Sequence, residues 1–365
     1  MKVGGVAYRA ISLDGDGWGV RVIDQTVLPH RFDVVRLETV EDTARAIRTM
    51  LVRGAPLIGA TAVYGVALAM RSDPSDASLD SAVELLAGTR PTAVNLRWAL
   101  DHVRESLQEL PAAGRADAAY RAARFVCDED VERNRSIGRH GLAMLHELAG
   151  DAGRALERPL NVLTHCNAGW LATVDWGTAT SAIYQGHDAG LQVHVWVDET
   201  RPRLQGATLT AWELGQHGVP HTVIPDSAAA YIMRKREVDV VIVGTDRTTA
   251  CGDVANKIGT YPLALAAADN EVPFYVAVPS PSIDWGIEDA GLIPIEERDA
   301  GEVTSVRGVD VEQVPRAVRI TPAKSRAMNY AFDVTPRRLV TGLITERGIC
   351  GASGDELRRL FPDHR

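Results

Sequence analysis

Four short stretches of this chain carry side chains suited to chemistry. The first, "THCNAGW" (164–170), places Cys166 one residue beyond "NVLTH", a β-branched run that reads as the end of a strand. A cysteine by itself usually packs as a small hydrophobe. Here Asn167 can donate hydrogen bonds and Gly169 lets backbone approach a ligand. The helix-compatible "TVDWGTATSAIYQGH" offers an N-terminal dipole that would favour a thiolate. His165 could serve as a base, but adjacent strand residues face opposite sides, so a structural role suits it equally.

The second stretch, "VDVVIVGTDRTTACGDVANKIGT", is a hydrophobic strand ending at Gly244, with Asp246 two residues on. A carboxylate at a strand tip often does no more than cap the next helix. Beyond it, "CGDVANKIGT" holds two glycines, Asn256 and Lys257. Glycines leave backbone N–H groups free to point at a phosphate, and Lys257 adds a point charge. The order of glycine, lysine and hydroxyl residue is not that of a Walker A loop. The third stretch pairs "RGAPLIGA" with "TRPTAVNLRWAL", setting Arg53 and Arg90 at helix breaks beside proline. In an acidic protein such arginines suit anion contacts across a domain cleft. In the fourth, "VDETRPRLQGATLTAWEL", Asp198 and Glu199 close a strand and Arg201, Arg203 and Gln205 follow. This reads as a surface ion-pair cluster of little energetic weight, with Gln205 able to hydrogen-bond sugar hydroxyls. Metal-ligand spacings, a GxSxG elbow and a GxGxxG after a strand are all absent from the sequence.

The elements that must position these groups follow from periodicity. A length of 365 residues favours two domains, and 45% hydrophobic with 24% charged residues is ordinary globular composition. The net charge of -9 argues against a nucleic-acid binder. The N-terminus lacks the apolar core of a signal peptide, and no window reads as a membrane span. Four scattered cysteines form neither a disulfide framework nor a zinc spacing, so a reducing cytoplasm is expected. Short strands broken at "DGDGWG" open the chain, and amphipathic helices follow, the first with Thr39 as its cap. Residues 1–150 therefore read as a mostly helical domain with a small β entry. After "GDAGRALERP" the apolar runs "NVLTH", "QVHVWV", "HTVI", "VDVVIVG" and "PFYVAVP" alternate with helix-compatible segments. That predicts a Rossmann-like α/β domain over 151–365, with a parallel sheet covered on both faces and ligands bound beyond the strand C-termini. The residues alone describe a two-domain α/β enzyme that binds a small phosphorylated ligand between domains, with Cys166 and Asp246 as reactive groups.

Taken together, "RGAPLIGATAVYG", "RPTAVNL", "THCNAGWLAT", "DETRPRLQGA", "DVVIVGTDRTTACGDVANKIGT" and "AFDVTPRRLVTGLITERGI" resemble the S-methyl-5-thioribose-1-phosphate isomerase family nearly end to end. Its superfamily includes ribose-1,5-bisphosphate isomerase and regulatory subunits of the translation-initiation exchange factor. The resemblance implies an aldose–ketose isomerase of methionine salvage that needs no metal or organic cofactor and works as a homodimer. It makes Asp246 the proton donor and Cys166 the second catalytic group, and it places Arg53, Gly54, Ala55, Arg90, Gln205, Asn256 and Lys257 on the substrate. A 5-deoxyribose-1-phosphate isomerase is the neighbouring activity, and a non-catalytic ligand-sensing subunit is the alternative from another class. Trp170 and Cys251 depart from the family's pattern, and both are expected close to the site.

Overall fold

The computed structural model describes residues 1–151 and 158–364. The stretch "GDAGRALERP", after which strand–helix alternation is expected, thus lies partly outside the described residues. The chain opens with a three-stranded antiparallel sheet of Ile11–Leu13, Val20–Ile23 and Val34–Leu37, whose first turn spans the predicted "DGDGWG". The helix Val40–Arg48 starts as its sequence dictates. The Thr39 side chain accepts from the Asp42 N–H while the Asp42 carboxylate reaches back to the Thr39 N–H.

Helices Ala55–Ser72, Asp76–Ala87, Val94–Gln108 and Ala112–Asp151 complete the first half. The reading that no window is apolar enough for a membrane span needs correction. The helix Ala55–Ser72 qualifies by length and composition, yet 83% of it lies buried in the fold. It packs against Val40–Arg48, Val94–Gln108 and the long helix Ala112–Asp151. That long helix also lies along Ala179–Asp188. The approach is close because Gly138 and Gly141 stand at the crossing: a Cβ on Gly138 would come within 2.2 Å of Ser181 Oγ, and one on Gly141 within 2.6 Å of the Ala182 Cβ.

The main sheet has seven strands among the described residues. Across the sheet they run Gly348–Cys350, Gly342–Thr345, Phe274–Ala277, Val240–Val243, Leu160–Thr164, Val193–Asp198 and His221–Ile224. All neighbours are parallel except the edge strand Gly348–Cys350. The first three parallel strands in sequence extend one way from Leu160–Thr164 and the last three extend the other way. The order therefore reverses between Leu160–Thr164 and Val240–Val243. This is the switch point where open α/β sheets bind ligands.

Strand alternation divides the core between the two faces. Val162, Val195, Val240, Ile242 and Ile344 join one cluster with the N-terminal helices. Leu163, Val241, Val243 and Leu343 join a second with the helices Ala229–Arg234, Thr260–Asp269 and Gly354–Leu360. We propose that 1–150 and 151–365 are topological halves sharing the first of these cores.

The glycine-rich reading of "CGDVANKIGT" does not hold. Arg247–Thr249 and Val254–Lys257 form an antiparallel hairpin within a second, four-stranded sheet with Ile283–Asp284 and Phe332–Thr335. Gly252 sits at its turn, and its N–H is spent on the Thr249 carbonyl at 3.0 Å. Gly252 serves chain reversal, and Gly259 caps the helix Thr260–Asp269 with its N–H on Asp333 Oδ2 at 2.8 Å.

Candidate active site

Cys166 follows the strand on one side of the switch point and Asp246 the strand on the other. Both line one cleft of about 830 Å³, counting its open mouth. The thiol's position is fixed through its backbone, which takes a left-handed φ of 61°. The Cys166 N–H donates to Thr200 Oγ1 at 2.8 Å and its carbonyl accepts from Thr210 Oγ1 at 2.7 Å. A non-glycine residue held in that region costs about 1–3 kcal/mol and persists only where its surroundings over-determine it. Thr210 ends a single π-helical stretch, Gly206–Thr210, an irregularity frequent at functional sites.

Burial pushes the Cys166 thiol up from its ordinary pKa, against the opposing pull of Arg53 and Lys257. The expected helix dipole does not contribute in the way the sequence suggested. Trp170–Ala172 form only a short 3₁₀ turn, and the helix begins at Ala179. Asp246 is partly exposed, yet surrounding protein raises its pKa, again with Arg53, Arg90 and Lys257 pulling the other way. A carboxyl group raised in this way keeps a proton to give.

Around this pair the cleft wall is cationic. Arg53, Arg90, Arg203, Arg247, Lys257 and Arg298 line it, with Asp246 as the single carboxylate among the described lining residues. In a chain of net charge -9 this local inversion suits the binding of an anion. Lys257 is 6% exposed, and its ammonium group makes no hydrogen bond or ion pair with another described residue. Burial lowers its pKa while Cys166, Glu302 and Asp246 raise it. Polar atoms without partners add to the picture: Gln205 Oε1, Arg90 Nε and Arg203 Nε. An anionic, hydroxyl-bearing ligand would supply what they lack.

Of the residues singled out from sequence, Arg53, Gly54, Ala55, Arg90, Cys166, Gln205, Asp246 and Lys257 all line the cleft. Asn256 does not; its side chain donates to Thr260 Oγ1 at 3.0 Å. Trp170 and Cys251 are absent from the lining as well. Trp170 is fully buried beside Trp212, and the Cys251 carbonyl accepts from Arg337. His165 braces the site from behind. One ring nitrogen bonds Asp198 Oδ2 at 2.9 Å and the other donates to the Ile258 carbonyl at 2.9 Å, tying the turn after Lys257 to the Cys166 strand. Asp198, read as a surface charge, is instead buried, and burial pushes its pKa up to about 6. His165, Asp198 and Asp226 are the one described grouping with metal-ligand chemistry. Asp226 already accepts from the N–H groups of Thr200 and Arg201.

Sequence reasoning missed the segment 293–302. Ile293, Pro294, Ile295 and Arg298 form part of the lining. Glu296 pairs with Arg90 at 2.7 Å, and Glu302 pairs with Arg203 and Arg298, each at 2.8 Å. The Arg203 cluster, taken from sequence for solvated ion pairs, is therefore one wall of the cleft. The alternating charges of "PIEERDAGE" were the available signal, but charge runs of that kind are usually solvated. Ile58, Met50, Ala331 and Phe332 complete an apolar side.

Residues 51–352 match the Initiation factor 2 subunit family. The chain belongs to that family. Within it, the chain is 61% identical over 365 residues to methylthioribose-1-phosphate isomerase of Acidiphilium cryptum, covering 100% of this chain and 98% of the relative. It is 60% identical to the protein of the same name from Rhodospirillum rubrum, covering 100% of this chain and 94% of the relative. The crystal structure of 5-methylthioribose 1-phosphate isomerase from Pyrococcus horikoshii matches with a TM-score of 0.83 at 39% identity, covering 98% and 96% of the two chains. A family member from A. fulgidus, described as subunit delta of the translation initiation factor eIF-2B, matches with a TM-score of 0.80 at 38% identity, covering 98% and 100%. The family fold therefore carries members named as isomerases and members named as translation initiation factor subunits.

Proposed function

We propose that this chain is an aldose–ketose isomerase converting S-methyl-5-thio-α-D-ribose 1-phosphate to S-methyl-5-thio-D-ribulose 1-phosphate in methionine salvage. The observation that carries the reading is the meeting of Cys166 and Asp246 from opposite sides of the switch point in one cation-lined cleft. A ligand-sensing subunit has no need of an acid–thiol pair, and the two relatives at 61% and 60% identity bear the isomerase name.

The phosphate on the anomeric oxygen prevents the ring from opening as a free sugar does. Asp246 gives its proton to the ring oxygen as the bond from that oxygen to C1 breaks. The hydrogen on C2 must then reach C1 while the C2 hydroxyl becomes the carbonyl and its proton leaves, returning to the Asp246 carboxylate. A thiol that burial holds protonated is a poor resting base. This favours direct movement of the C2 hydrogen to C1, with Cys166 shaping the approach. Arg53, Arg90 and Lys257 hold the phosphate, Gln205 bonds the sugar hydroxyls, and Gly54 and Ala55 approach at the start of their helix. The apolar side formed by Met50, Ile58 and Phe332 accommodates the C5 substituent. A homodimer in a reducing cytoplasm completes the proposal, on the family resemblance and four cysteines that form no disulfide.

The test is turnover of both purified sugar 1-phosphates. We expect kcat/KM for the methylthio substrate to exceed that for 5-deoxyribose 1-phosphate; no turnover of either sugar would end the isomerase reading. Lys257→Ala should raise KM by about tenfold or more, since a charge-assisted hydrogen bond contributes roughly 1.5–3 kcal/mol, with little change in Tm. An unchanged KM would assign the phosphate to the arginines alone.

A further inference from the structure

Beneath the cleft lies a carboxylate that the proposed chemistry does not use. Glu213, on the helix Ala211–His217, is fully buried. Among the described residues no cation pairs with it, an arrangement that costs free energy unless hydrogen bonds satisfy the charge. Four donors converge on it. Oε1 accepts from Asn167 Nδ2 at 2.5 Å and the Leu171 N–H at 3.3 Å, and Oε2 accepts from the Trp170 N–H and the Tyr184 hydroxyl, each at 2.9 Å. Three of the four belong to the loop that follows Cys166. The fit explains the glycine in "CNAGW", because a Cβ on Gly169 would stand 1.9 Å from Glu213 Oε2.

Asn167 passes this order on. Its side-chain oxygen and its carbonyl accept from the two terminal nitrogens of Arg53, the second bond at 2.9 Å. Arg53 belongs to the helical half and lines the cleft, and these two are its hydrogen bonds among the described residues. Cys166 itself is held by Thr200 and Thr210, and Thr210 Oγ1 also accepts from Asn167 Nδ2 at 3.1 Å.

We infer that Glu213 and Asn167 are positioning residues, forming a relay that holds Arg53 at the anion-binding wall from the far side of the Cys166 loop. That the anion is a substrate phosphate rests on the isomerase reading. The relay requires a carboxylate. A glutamine offers one acceptor oxygen, and its amide N–H₂ would face a backbone N–H in either orientation, Leu171 on one side or Trp170 on the other. The loop 167–171 must then shift, and Arg53 with it.

The test compares Glu213→Gln and Asn167→Ala with wild type in steady-state kinetics and in calorimetric titration with inorganic phosphate. The second variant keeps the Glu213 carboxylate, removing one of its four donors together with the side-chain link to Arg53, so it carries the test if the first fails to fold. We expect KM to rise about tenfold or more in each, kcat to stay within about threefold, and phosphate affinity to weaken in parallel. The double variant should be little worse than the poorer single. A glutamate that only packs the interior would instead lower Tm and the active fraction, giving a reduced apparent kcat at unchanged KM, and that result overturns the relay. If wild type binds phosphate but turns over no sugar phosphate, the isomerase reading falls, and the phosphate titrations alone judge the relay: weakened in both variants it stands, unchanged it falls. Wild type binding neither phosphate nor substrate removes both.

Discussion

Asp246→Asn is expected to lower kcat by roughly 10²–10⁴-fold, the usual scale of general acid catalysis, while leaving substrate binding intact. Asparagine keeps the shape of the carboxyl group and loses only the transferable proton. The cationic wall that would hold the phosphate is built from other residues, so KM should change little. The pH profile gives a second readout. Desolvation by the surrounding protein raises the pKa of Asp246, so its acid form persists above the ordinary carboxylate range. Wild-type kcat should therefore be sustained at low pH and fall as pH rises through that pKa, and the falling limb should vanish in the variant. Wild-type rates in Asp246→Asn would remove it as the acid.

Cys166→Ser should also cost turnover more than binding, by about 10²-fold or more if the thiol takes part in moving the C2 hydrogen. Serine preserves the backbone bonds to Thr200 and Thr210 that fix this position, so a loss would report the sulfur and not the loop. The double variant separates two arrangements. Groups acting as one unit show non-additive losses, so the double should be little worse than the poorer single. Penalties that multiply would mean that Cys166 and Asp246 act independently.

Much of this site was legible in the sequence, for definite reasons. The strands ending near Cys166 and Asp246 are unbroken apolar runs, and a parallel sheet buried on both faces demands such runs. Arg53 and Arg90 were visible because proline and glycine mark the helix breaks beside them. Lys257 was found for a partly mistaken reason, since Gly252 makes a hairpin turn, Gly259 caps the next helix and Asn256 bonds Thr260 instead of lining the cleft. The residues that stayed hidden share a feature: their neighbours are distant in sequence. Arg298 gains meaning only through Glu302 and the placement of a segment without periodicity. Glu213 lies in a helix where a glutamate is ordinarily solvated, and nothing local announces that Asn167, Trp170, Leu171 and Tyr184 close over it. The brace formed by His165 and Asp198 was half visible, as a histidine whose facing could not be read from alternation alone.

The crossing of the long helix Ala112–Asp151 over Ala179–Asp188 bears on how this chain can change over time. Gly138 and Gly141 leave no room above Ser181 and Ala182, and Ile344 from the far end of the chain stands 3.8 Å from where a Cβ on Gly141 would be. A side chain enlarged on one element must be answered by one reduced on the other, because close-packed interiors do not absorb added volume freely. The substitutions tolerated before residue 150 thus depend on those already accepted after it. Two segments that read as separable along the sequence are bound into a single unit of inheritance, and a graft of one half from a distant relative would bring side-chain volumes chosen for a different partner.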